Sequence, residues 1–311
     1  MARKTIAIGT RGSPLALQQT SWVTRVLSEA YPHFQIQLVV IKTTGDKILD
    51  VPLAAIGGKG LFVKEIEEAL LDKRIDLAVH SMKDMPGDLP EGLKIGAVPV
   101  REDPRDVLIS RDQVLLKDIP RQTKIGTSSL RRKAQLLNQR PDLEIVSLRG
   151  NLDTRLKKID SEGLAGIILA AAGLHRMGLE NRISHYLELD TSLPAVGQGA
   201  LALEIRQEDL WLQEHLSVIH HQATALCTQA ERSFLNRLQG GCQVPIAGHA
   251  RLQGQQIILK GLIASLDGST IIKGQIEGPL TDPLNLGISL ADRLFLSGGK
   301  EILDRIFKQT A

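Results

Sequence analysis

A short strand followed by a glycine turn and a helix start occurs twice in this chain, first in Thr5–Leu15 and again in Lys124–Arg132. Both copies place hydroxyl residues where they can cap the helix, and Pro14 suits a first helical position. Strands that alternate with helices are typical of parallel sheets. The repetition therefore predicts two similar α/β domains. Each would direct a helix N-terminus, which attracts anions through its free N–H groups and its dipole, towards a cleft between the domains.

The length of 311 residues is more than one hydrophobic core usually serves, so we expect two or three domains. The first α/β domain is predicted to be discontinuous, at residues 1–99 and 200–217, and the second to occupy residues 100–199. Residues 218–311 would form a small α+β domain. The predicted fold class is α/β, with two domains of one kind and a small C-terminal domain of another.

The C-terminal region has its own pattern of elements. A helix is predicted at about Thr224–Leu238, and Gly248–Leu262 with Thr270–Ile276 should form a hairpin-like pair. A last helix is expected at about Pro283–Leu296. These elements would make a separate unit that follows the two α/β domains.

The composition excludes several classes of protein. A net charge of +3, from 38 basic and 35 acidic residues, is not that of a nucleic-acid-binding protein, and 3% aromatic residues are too few for base stacking. No P-loop, dinucleotide fingerprint or metal-ligand spacing occurs in the sequence. Two cysteines fit a reducing compartment, and neither a signal-peptide pattern nor a membrane-spanning apolar run is present. We therefore expect a cytoplasmic protein that binds no metal, membrane or nucleic acid.

Cys242 follows Gly240 and Gly241 directly after the predicted helix, with Pro245 close behind. Glycines remove side-chain bulk and proline prevents further helix, so the thiol should stand on a stiff, open loop. Such a thiol could be a nucleophile or a covalent attachment point. The alternative is a small buried hydrophobic residue, and the residues alone leave both open. Cys227, inside the helix, is predicted to be inert core.

Basic residues gather where predicted strands end. The set is Arg11, Lys83, Arg131, Arg132, Arg149, Arg155 and Arg176. Arginine binds carboxylates and phosphates through two parallel hydrogen bonds, so the pattern predicts a ligand with several anionic groups. The alternative is a set of unrelated, solvated surface charges, which is the usual role of any one such residue.

Asp84 lies in the polar loop His80–Pro86, which follows a short apolar strand. One carboxylate among cationic groups can stabilise a cationic intermediate and transfer protons. The alternative is a structural ion pair between Asp84 and Lys83 or an arginine. A further loop, Gly57–Phe62, contains three glycines and Lys59, and we interpret it as a candidate lid.

Several long motifs are shared with one known family. They are Glu231–Leu235 followed by Leu238–Pro245, and Gly9–Leu17, His80–Pro86, Gly126–Arg132 and Arg149–Arg155. On these motifs the chain closely resembles the hydroxymethylbilane synthases, also called porphobilinogen deaminases, essentially from end to end. The segment that contains Cys242 resembles the family's cofactor-attachment signature, and we see no departure at a functional position.

The resemblance implies a fold, a cofactor and a reaction. The family has two domains like type II periplasmic binding proteins and a third that carries the cysteine. Cys242 would hold a dipyrromethane cofactor through a thioether. Four porphobilinogen molecules would be added head to tail, each losing ammonia, before water releases linear hydroxymethylbilane. The pathway would be tetrapyrrole biosynthesis towards heme, with chlorophyll left open, and a monomer is the family expectation.

The resemblance also assigns roles to residues. Asp84 would be the catalytic carboxylate, with Arg11 at the condensation point. The implied cofactor-binding residues are Ser81, Lys83, Asp84, Thr127, Ser128, Ser129, Arg131, Arg132, Arg149 and Gly150. The implied substrate-binding residues are Arg11, Ser13, Arg149, Arg155, Arg176 and Gln198. Lys59 and Phe62 would belong to a flexible lid. Each pyrrole carries an acetate and a propionate, so the growing chain is a polyanion that needs these cations.

Two other functions compete with this interpretation. One is a non-enzymatic anion-binding or sensor protein of the same fold, which neither the glycine–cysteine loop nor the third domain favours. The other is an acyl transferase with a cysteine nucleophile, which would need a neighbouring histidine base. The nearest histidine along the chain, His249, lies in no supporting pattern.

Overall fold

The computed structural model describes residues 5–47, 60–241 and 243–310. Its strands are β1 (Thr5–Thr10), β2 (Gln35–Val40), β3 (Leu77–Ser81), β4 (Leu93–Ala97), β5 (Asp106–Ser110), β6 (Lys124–Gly126), β7 (Glu144–Val146), β8 (Gly166–Ala170), β9 (His185–Tyr186), β10 (Leu201–Arg206), β11 (Ile246–Gln253), β12 (Gln256–Ala264) and β13 (Ile271–Pro279). Its α-helices are α1 (Pro14–Ala30), α2 (Thr44–Lys47), α3 (Lys64–Leu71), α4 (Leu130–Gln139), α5 (Leu152–Ser161), α6 (Ala171–Arg176), α7 (Leu210–His215), α8 (Gln222–Arg237), α9 (Pro283–Leu294) and α10 (Lys300–Thr310). Short 3₁₀ turns lie at Met82–Asp84, Leu116–Asp118, Glu180–Arg182 and Leu216–Val218.

The chain divides into two compact units, of which the first contains residues 5–47, 60–102 and 199–225. Its sheet has the order β2-β1-β3-β10-β4. Strands β1, β2 and β3 are parallel, whereas β10 is antiparallel to both β3 and β4. Ile6, Ile8, Leu77 and Leu203 are fully buried in a core on one face of this sheet.

The second unit contains residues 103–198 and 226–310. Its first sheet has the order β7-β6-β8-β5-β9, in which β6, β7 and β8 are parallel and β5 is antiparallel to both of its neighbours. In both sheets three parallel strands lie in the order second, first, third, and an antiparallel strand separates the third from the strand that follows it in the chain. The prediction of two similar α/β sheets is therefore confirmed.

A third sheet, β11-β12-β13, is antiparallel and belongs to the second unit. Helices α8 and α9 cover it, and the ring of Phe234 packs so closely that a Cβ at Gly261 would lie 2.7 Å from its Cζ atom. This separate antiparallel layer confirms the predicted small α+β region. Where the boundaries of three domains fall stays a prediction.

The predicted hairpin is present, since β12 pairs with β13, and the helix predicted from Pro283 is α9. Two details of these predictions were wrong. The stretch Gly248–Leu262 is two strands instead of one, because Gly254 turns the chain at φ 59°. The last predicted helix ends at Leu294, and after a kink at Gly298, where φ is 102°, another helix follows. In both places a glycine adopts the left-handed backbone conformation that other residues avoid.

Side-chain caps fix the helix starts that follow the repeated strands. Ser13 Oγ accepts a hydrogen bond from Ala16 N at 3.3 Å, and Pro14 occupies the first helical turn of α1. Ser129 Oγ accepts from Arg132 N at 3.4 Å at the start of α4. The predicted N-terminal caps of both repeats are thus present.

Within the described residues, no helix has both the length and the apolar character that crossing a membrane requires.

Candidate active site

In the first unit, the predicted site residues gather at one edge of the sheet. Because β1 and β3 are parallel neighbours, their carboxyl ends meet at the same edge. Arg11 and Ser13 directly follow β1, while Ser81, the 3₁₀ turn and Asp84 end β3. The local fold therefore brings these residues of the first unit together.

Arg11 is held in place by two contacts. Its Nε atom donates to Asp46 Oδ1 at 3.2 Å, and its Nη2 atom bonds the same carboxylate. Its guanidinium also lies 4.1 Å from the ring centroid of Phe62. Burial raises the pKa of Asp46, but hydrogen bonds from Arg11 and Thr43 outweigh burial and lower it. Asp46 thus remains charged and orients Arg11, a role that the sequence did not predict. Lys59, the predicted lid residue, lies outside the described residues.

Asp84 stands on a rigid turn and is itself exposed. Met82 N donates to Ala200 O at 3.0 Å, and Met85 N donates to Met82 O at 3.2 Å. The side chains of Met82 and Met85 are both buried in one apolar cluster. Among the described residues, no ion pair joins Asp84 to Lys83 or to an arginine. The structural pairing considered as an alternative is therefore not formed, and the carboxylate can meet a ligand.

In the second unit, β6, β7 and β8 also end at a common edge. Thr127 and Ser128 follow β6: Thr127 N donates to Val146 O at 2.9 Å, and Ser128 Oγ accepts from Leu148 N at 2.9 Å. Ser129 caps α4, as described above. These bonds join the turn after β6 to the chain after β7. The three hydroxyl residues thus occupy the edge at which the sequence placed a ligand site.

The chain after β7 carries the next group of predicted residues. Gly150 has a φ of 108°, and a Cβ there would lie 2.6 Å from Thr154 Cγ2, so only glycine fits this turn. Arg155 Nε donates to Gly150 O at 2.9 Å. Arg149 and Arg176 are half-buried, and Arg176 is the last residue of the helix that follows β8. All four residues thus lie beyond the carboxyl ends of parallel strands.

Arg131, Arg132 and Gln198 meet at a buried carboxylate that the sequence reasoning missed, Asp106. Its oxygens accept hydrogen bonds from Arg131 Nη1 at 2.6 Å, Arg132 Nε at 2.9 Å, Gln198 Nε2 at 3.0 Å and Ser192 Oγ at 2.7 Å. Asp106 opens β5 opposite Ala170, the last residue of β8. A charged residue at the start of the apolar run Val107–Ile109 was the signal that could have revealed it.

The charge state of Asp106 follows from its partners. Complete burial raises the pKa of this carboxyl, but the charges and hydrogen bonds of Arg131 and Arg132 outweigh burial and hold the pKa far below its usual range. The guanidiniums of both arginines are themselves nearly buried. Asp106 therefore fixes the two arginines, and the direct ligand contacts predicted for them and for Gln198 stay predictions.

Cys242 lies outside the described residues, but the helix that precedes it is firmly anchored. Glu231 of α8 is fully buried, and its carboxylate accepts hydrogen bonds from Gly197 N and Ala250 N, each at 2.7 Å. His249 Nδ1 lies 3.5 Å from the same carboxylate. Cys227 is buried, as predicted for inert core. The chain thus reaches the glycines before Cys242 from a fixed support.

Two family models match this chain. Residues 6–214 match "Porphobilinogen deaminase, dipyromethane cofactor binding domain", and residues 225–295 match "Porphobilinogen deaminase, C-terminal domain". Together the matched segments include the candidate residues of both sheet edges and the segment around Cys242.

Curated relatives agree over nearly the whole length. A protein of Geotalea uraniireducens named porphobilinogen deaminase is 52% identical over 309 residues, which are 99% of this chain and 97% of the relative. A protein of the same name from Geobacter sulfurreducens is also 52% identical, with the same shares covered. A solved structure of a probable amino-acid transporter binding protein from Bacillus subtilis superposes with a TM-score of 0.43 at 11% identity, over 70% of this chain and 90% of that one.

Proposed function

The chain belongs to the porphobilinogen deaminase family, and we propose that the residues at the sheet edge of each unit bind its cofactor and substrate. The protein is a transferase of tetrapyrrole biosynthesis. It deaminates porphobilinogen and condenses four molecules head to tail onto a cysteine-linked dipyrromethane. Hydrolysis then releases linear hydroxymethylbilane. The non-enzymatic alternative is not favoured, because the match extends over the C-terminal domain as well.

One observation carries the site assignment: the exposed Asp84 carboxylate has no ion-pair partner among the described residues and stands on a fixed turn. The other residues proposed for the cofactor are hydroxyl, amide or cationic donors. They are Ser81, Lys83, Thr127, Ser128, Ser129, Arg131, Arg132, Arg149 and Gly150. A dipyrromethane presents carboxylates and pyrrole N–H groups, which need such donors together with one acceptor. The residues present therefore fit the group.

Asp84 and Arg11 have the central roles in this proposal. When bound, the cofactor supplies the pyrrole carbon at which the chain grows. Asp84 accepts hydrogen bonds from pyrrole N–H groups, and its charge stabilises the cation that porphobilinogen becomes on losing ammonia. Arg11 bonds Asp46 through Nε and Nη2, which directs the rest of its guanidinium to a substrate carboxylate. Ser13 caps the adjacent helix, whose N-terminus favours the same anion.

The second unit supplies most of the positive charge. Arg149, Arg155 and Arg176 are proposed to bind the acetate and propionate groups of the substrate and the growing chain. Arg131, Arg132 and Gln198 would act with their geometry fixed by Asp106. Lys59 and Phe62 are proposed to form the lid, and the contact of Phe62 with Arg11 supports a link between lid and site.

The attachment of the cofactor to Cys242 is tested by intact mass. We expect the native protein to exceed its chain mass by one dipyrromethane, and a Cys242→Ser variant to show no excess. A thioether is required because it resists hydrolysis during turnover. A Cys227→Ser variant is the matched control and should retain the full excess, since Cys227 is buried core. If native protein stays unmodified after incubation with porphobilinogen, the proposal is wrong.

Replacing Arg149 by alanine should impair assembly of the cofactor or extension of the chain. One charge-assisted contact contributes about 1.5–3 kcal/mol, so we expect kcat/KM to fall by roughly tenfold to a hundredfold. The measurement is steady-state formation of hydroxymethylbilane together with the mass of the purified protein. Arg121→Ala removes an exposed arginine of the same unit and should leave both unchanged. A fully active Arg149→Ala enzyme would contradict the proposal that this sheet edge of the second unit binds the carboxylates of the cofactor and the substrate.

We also propose that the enzyme works in the cytoplasm as a monomer that does not bind nucleic acid. The two cysteines support a reducing compartment, and the balance of 38 basic and 35 acidic residues supports the exclusion of nucleic acid. We further retain the division into residues 1–99 with 200–217, 100–199 and 218–311 as the proposed domains.

A further inference from the structure

Three ionisable side chains are buried in the interior of the first unit, on the sheet whose strand β3 leads into the Asp84 turn. His80 of β3 and Glu204 of β10 are both buried, and the His80 Nε2 atom lies 3.0 Å from Glu204 Oε2. Glu67 of α3 is also buried on this side of the sheet, where α3 packs with Ala78. None of these residues has a role in the active site described above, yet burying three ionisable groups together is unfavourable unless they satisfy one another.

Two carboxylate oxygens of this cluster lack a hydrogen-bond partner in the part of the chain that the structure describes. Glu67 Oε1 and Glu204 Oε1 are both buried, and neither forms a hydrogen bond to any described residue. Two ionised carboxylates in such a place would repel each other, whereas one proton held by Glu67 removes the repulsion. Burial, followed by the negative charge of Glu204, raises the pKa of Glu67 to about 7, against an opposing effect of His80.

The other charged groups near the cluster are already engaged. Arg206, two residues beyond Glu204 on β10, bonds the carbonyls of Leu70 and Ile75 and the carboxylate of Asp76. Strand β1 contributes uncharged residues to this side, and Lys94 of β4 bonds Gln213. On α3 itself, Glu65 bonds Thr44, while Lys64 and Glu68 are exposed. His80 is therefore the basic side chain that faces the two carboxyl groups.

The cluster is rigidly joined to Asp84. His80 pairs with Ala202 and Ser81 with Leu201 in the ladder between β3 and β10. Directly beyond, Ala200 O accepts the hydrogen bond from Met82 N that begins the Asp84 turn. A shift of His80 against Glu204 would therefore displace the register of the two strands at the point where the turn starts.

We propose that Glu67 holds a proton beside the buried pair of His80 and Glu204, that these three side chains position the Asp84 turn, and that loss of the Glu67 proton displaces the turn. These are positioning residues, and the link to turnover rests on the proposed function of Asp84. A second negative charge in the cluster weakens the packing of α3 on β3 and β10. The enzyme would then lose turnover on the alkaline side through a group that never touches substrate.

The first test is thermal stability against pH for the cofactor-loaded enzyme. With its pKa raised, Glu67 holds a proton in the folded state that the unfolded state has lost, so its stabilising effect is full below about pH 4.5 and disappears as the pH rises through 7. Glu67→Gln keeps the shape and is permanently neutral. Its Tm should equal that of the wild type at pH 4 and exceed it by about 2 °C or more at pH 8. Glu68→Gln, an exposed neighbour on the same helix, should follow the wild type throughout.

The second test is the pH profile of kcat for the same three proteins. The alkaline limb of the wild type should move upwards by about one pH unit in Glu67→Gln, with KM changed less than twofold, because the substrate contacts are untouched. If Tm and kcat depend on pH in the same way in Glu67→Gln and Glu68→Gln, the proposed role of the cluster is wrong. A shift in Tm without a shift in kcat would overturn its link to Asp84. Normal turnover by Asp84→Ala would instead refute the proposed function, while the Tm comparison would still decide whether Glu67 holds its proton.

Discussion

An Asp84→Ala enzyme should lose nearly all turnover while it keeps its fold and its covalently attached cofactor. The side chain is exposed, and the turn that carries it is held by backbone hydrogen bonds and by buried methionines, none of which involves the carboxylate. Removing it therefore leaves the protein intact and removes the negative charge that we propose stabilises the developing cation. Loss of one such group lowers kcat by about 10²- to 10⁴-fold.

The measurement is single-turnover and steady-state formation of hydroxymethylbilane, with intact mass to count attached pyrroles. Asp84→Glu retains the charge on a longer side chain and should recover part of the loss. Asp112→Ala is the matched control, since Asp112 is an exposed aspartate in a turn of the second unit and should leave kcat unchanged. Production of the tetrapyrrole by Asp84→Ala at the wild-type rate would exclude the assigned role.

The fold could be predicted from the sequence because its signals are local. Each strand, glycine turn and helix cap lies within about ten residues, and Ser13 and Ser129 form the caps that their positions suggest. The predictions that were wrong depended on glycine. Gly254 and Gly298 interrupt patterns that their neighbours would have continued, and nothing in the flanking apolar spacing shows which glycine takes a positive φ.

The candidate site was only partly predictable, because its supporting contacts are distant in sequence. Arg11, Asp84 and the hydroxyl residues stand out as motifs at strand ends, but Asp46, Asp106 and Glu67 do not. Asp106 meets Arg131 across 25 positions, and the pair of His80 with Glu204 spans 124. Pairs of this kind depend on which strands become neighbours, which is a property of the assembled sheet.

The basic residues at the strand ends have different structural roles. The sequence pattern treated all seven basic residues as equivalent ligand-binding groups. The structure separates Arg131 and Arg132, which are buried against Asp106, from Arg149 and Arg176, which are half-buried and not joined to that carboxylate. Arg11 is intermediate, because it both bonds Asp46 and stacks on Phe62. Arg131 and Arg132 therefore contribute to the stability of the second unit, in addition to the ligand contacts proposed for them.

The largest expected effect on stability comes from Asp106→Asn. Asp106 is completely buried and is the carboxylate that both buried guanidiniums contact. Removing one partner of a buried ion pair leaves uncompensated charge in a medium that solvates it poorly, so the variant should lose about 3–5 kcal/mol of unfolding free energy. The amide also presents N–H groups to the arginine donors, which adds a clash of like hydrogen-bonding groups.

The test compares urea or thermal unfolding of the second unit in the wild type, Asp106→Asn and Asp292→Asn. Asp292 forms an exposed pair with Arg237, so its loss should change the unfolding free energy by no more than about 1 kcal/mol.

The effect of Asp106 on stability should also depend on pH, because the pKa of this carboxyl is lower in the folded state than in the unfolded state. The stabilisation by ionised Asp106 is complete above the ordinary aspartate pKa of 3.8 and is lost as the pH falls through that value towards the lower folded pKa. The stability difference between wild type and Asp106→Asn should therefore be constant from pH 6 to pH 8 and shrink below pH 4. Equal stability of Asp106→Asn and Asp292→Asn at pH 7 would show that Asp106 is not the carboxylate that holds these arginines.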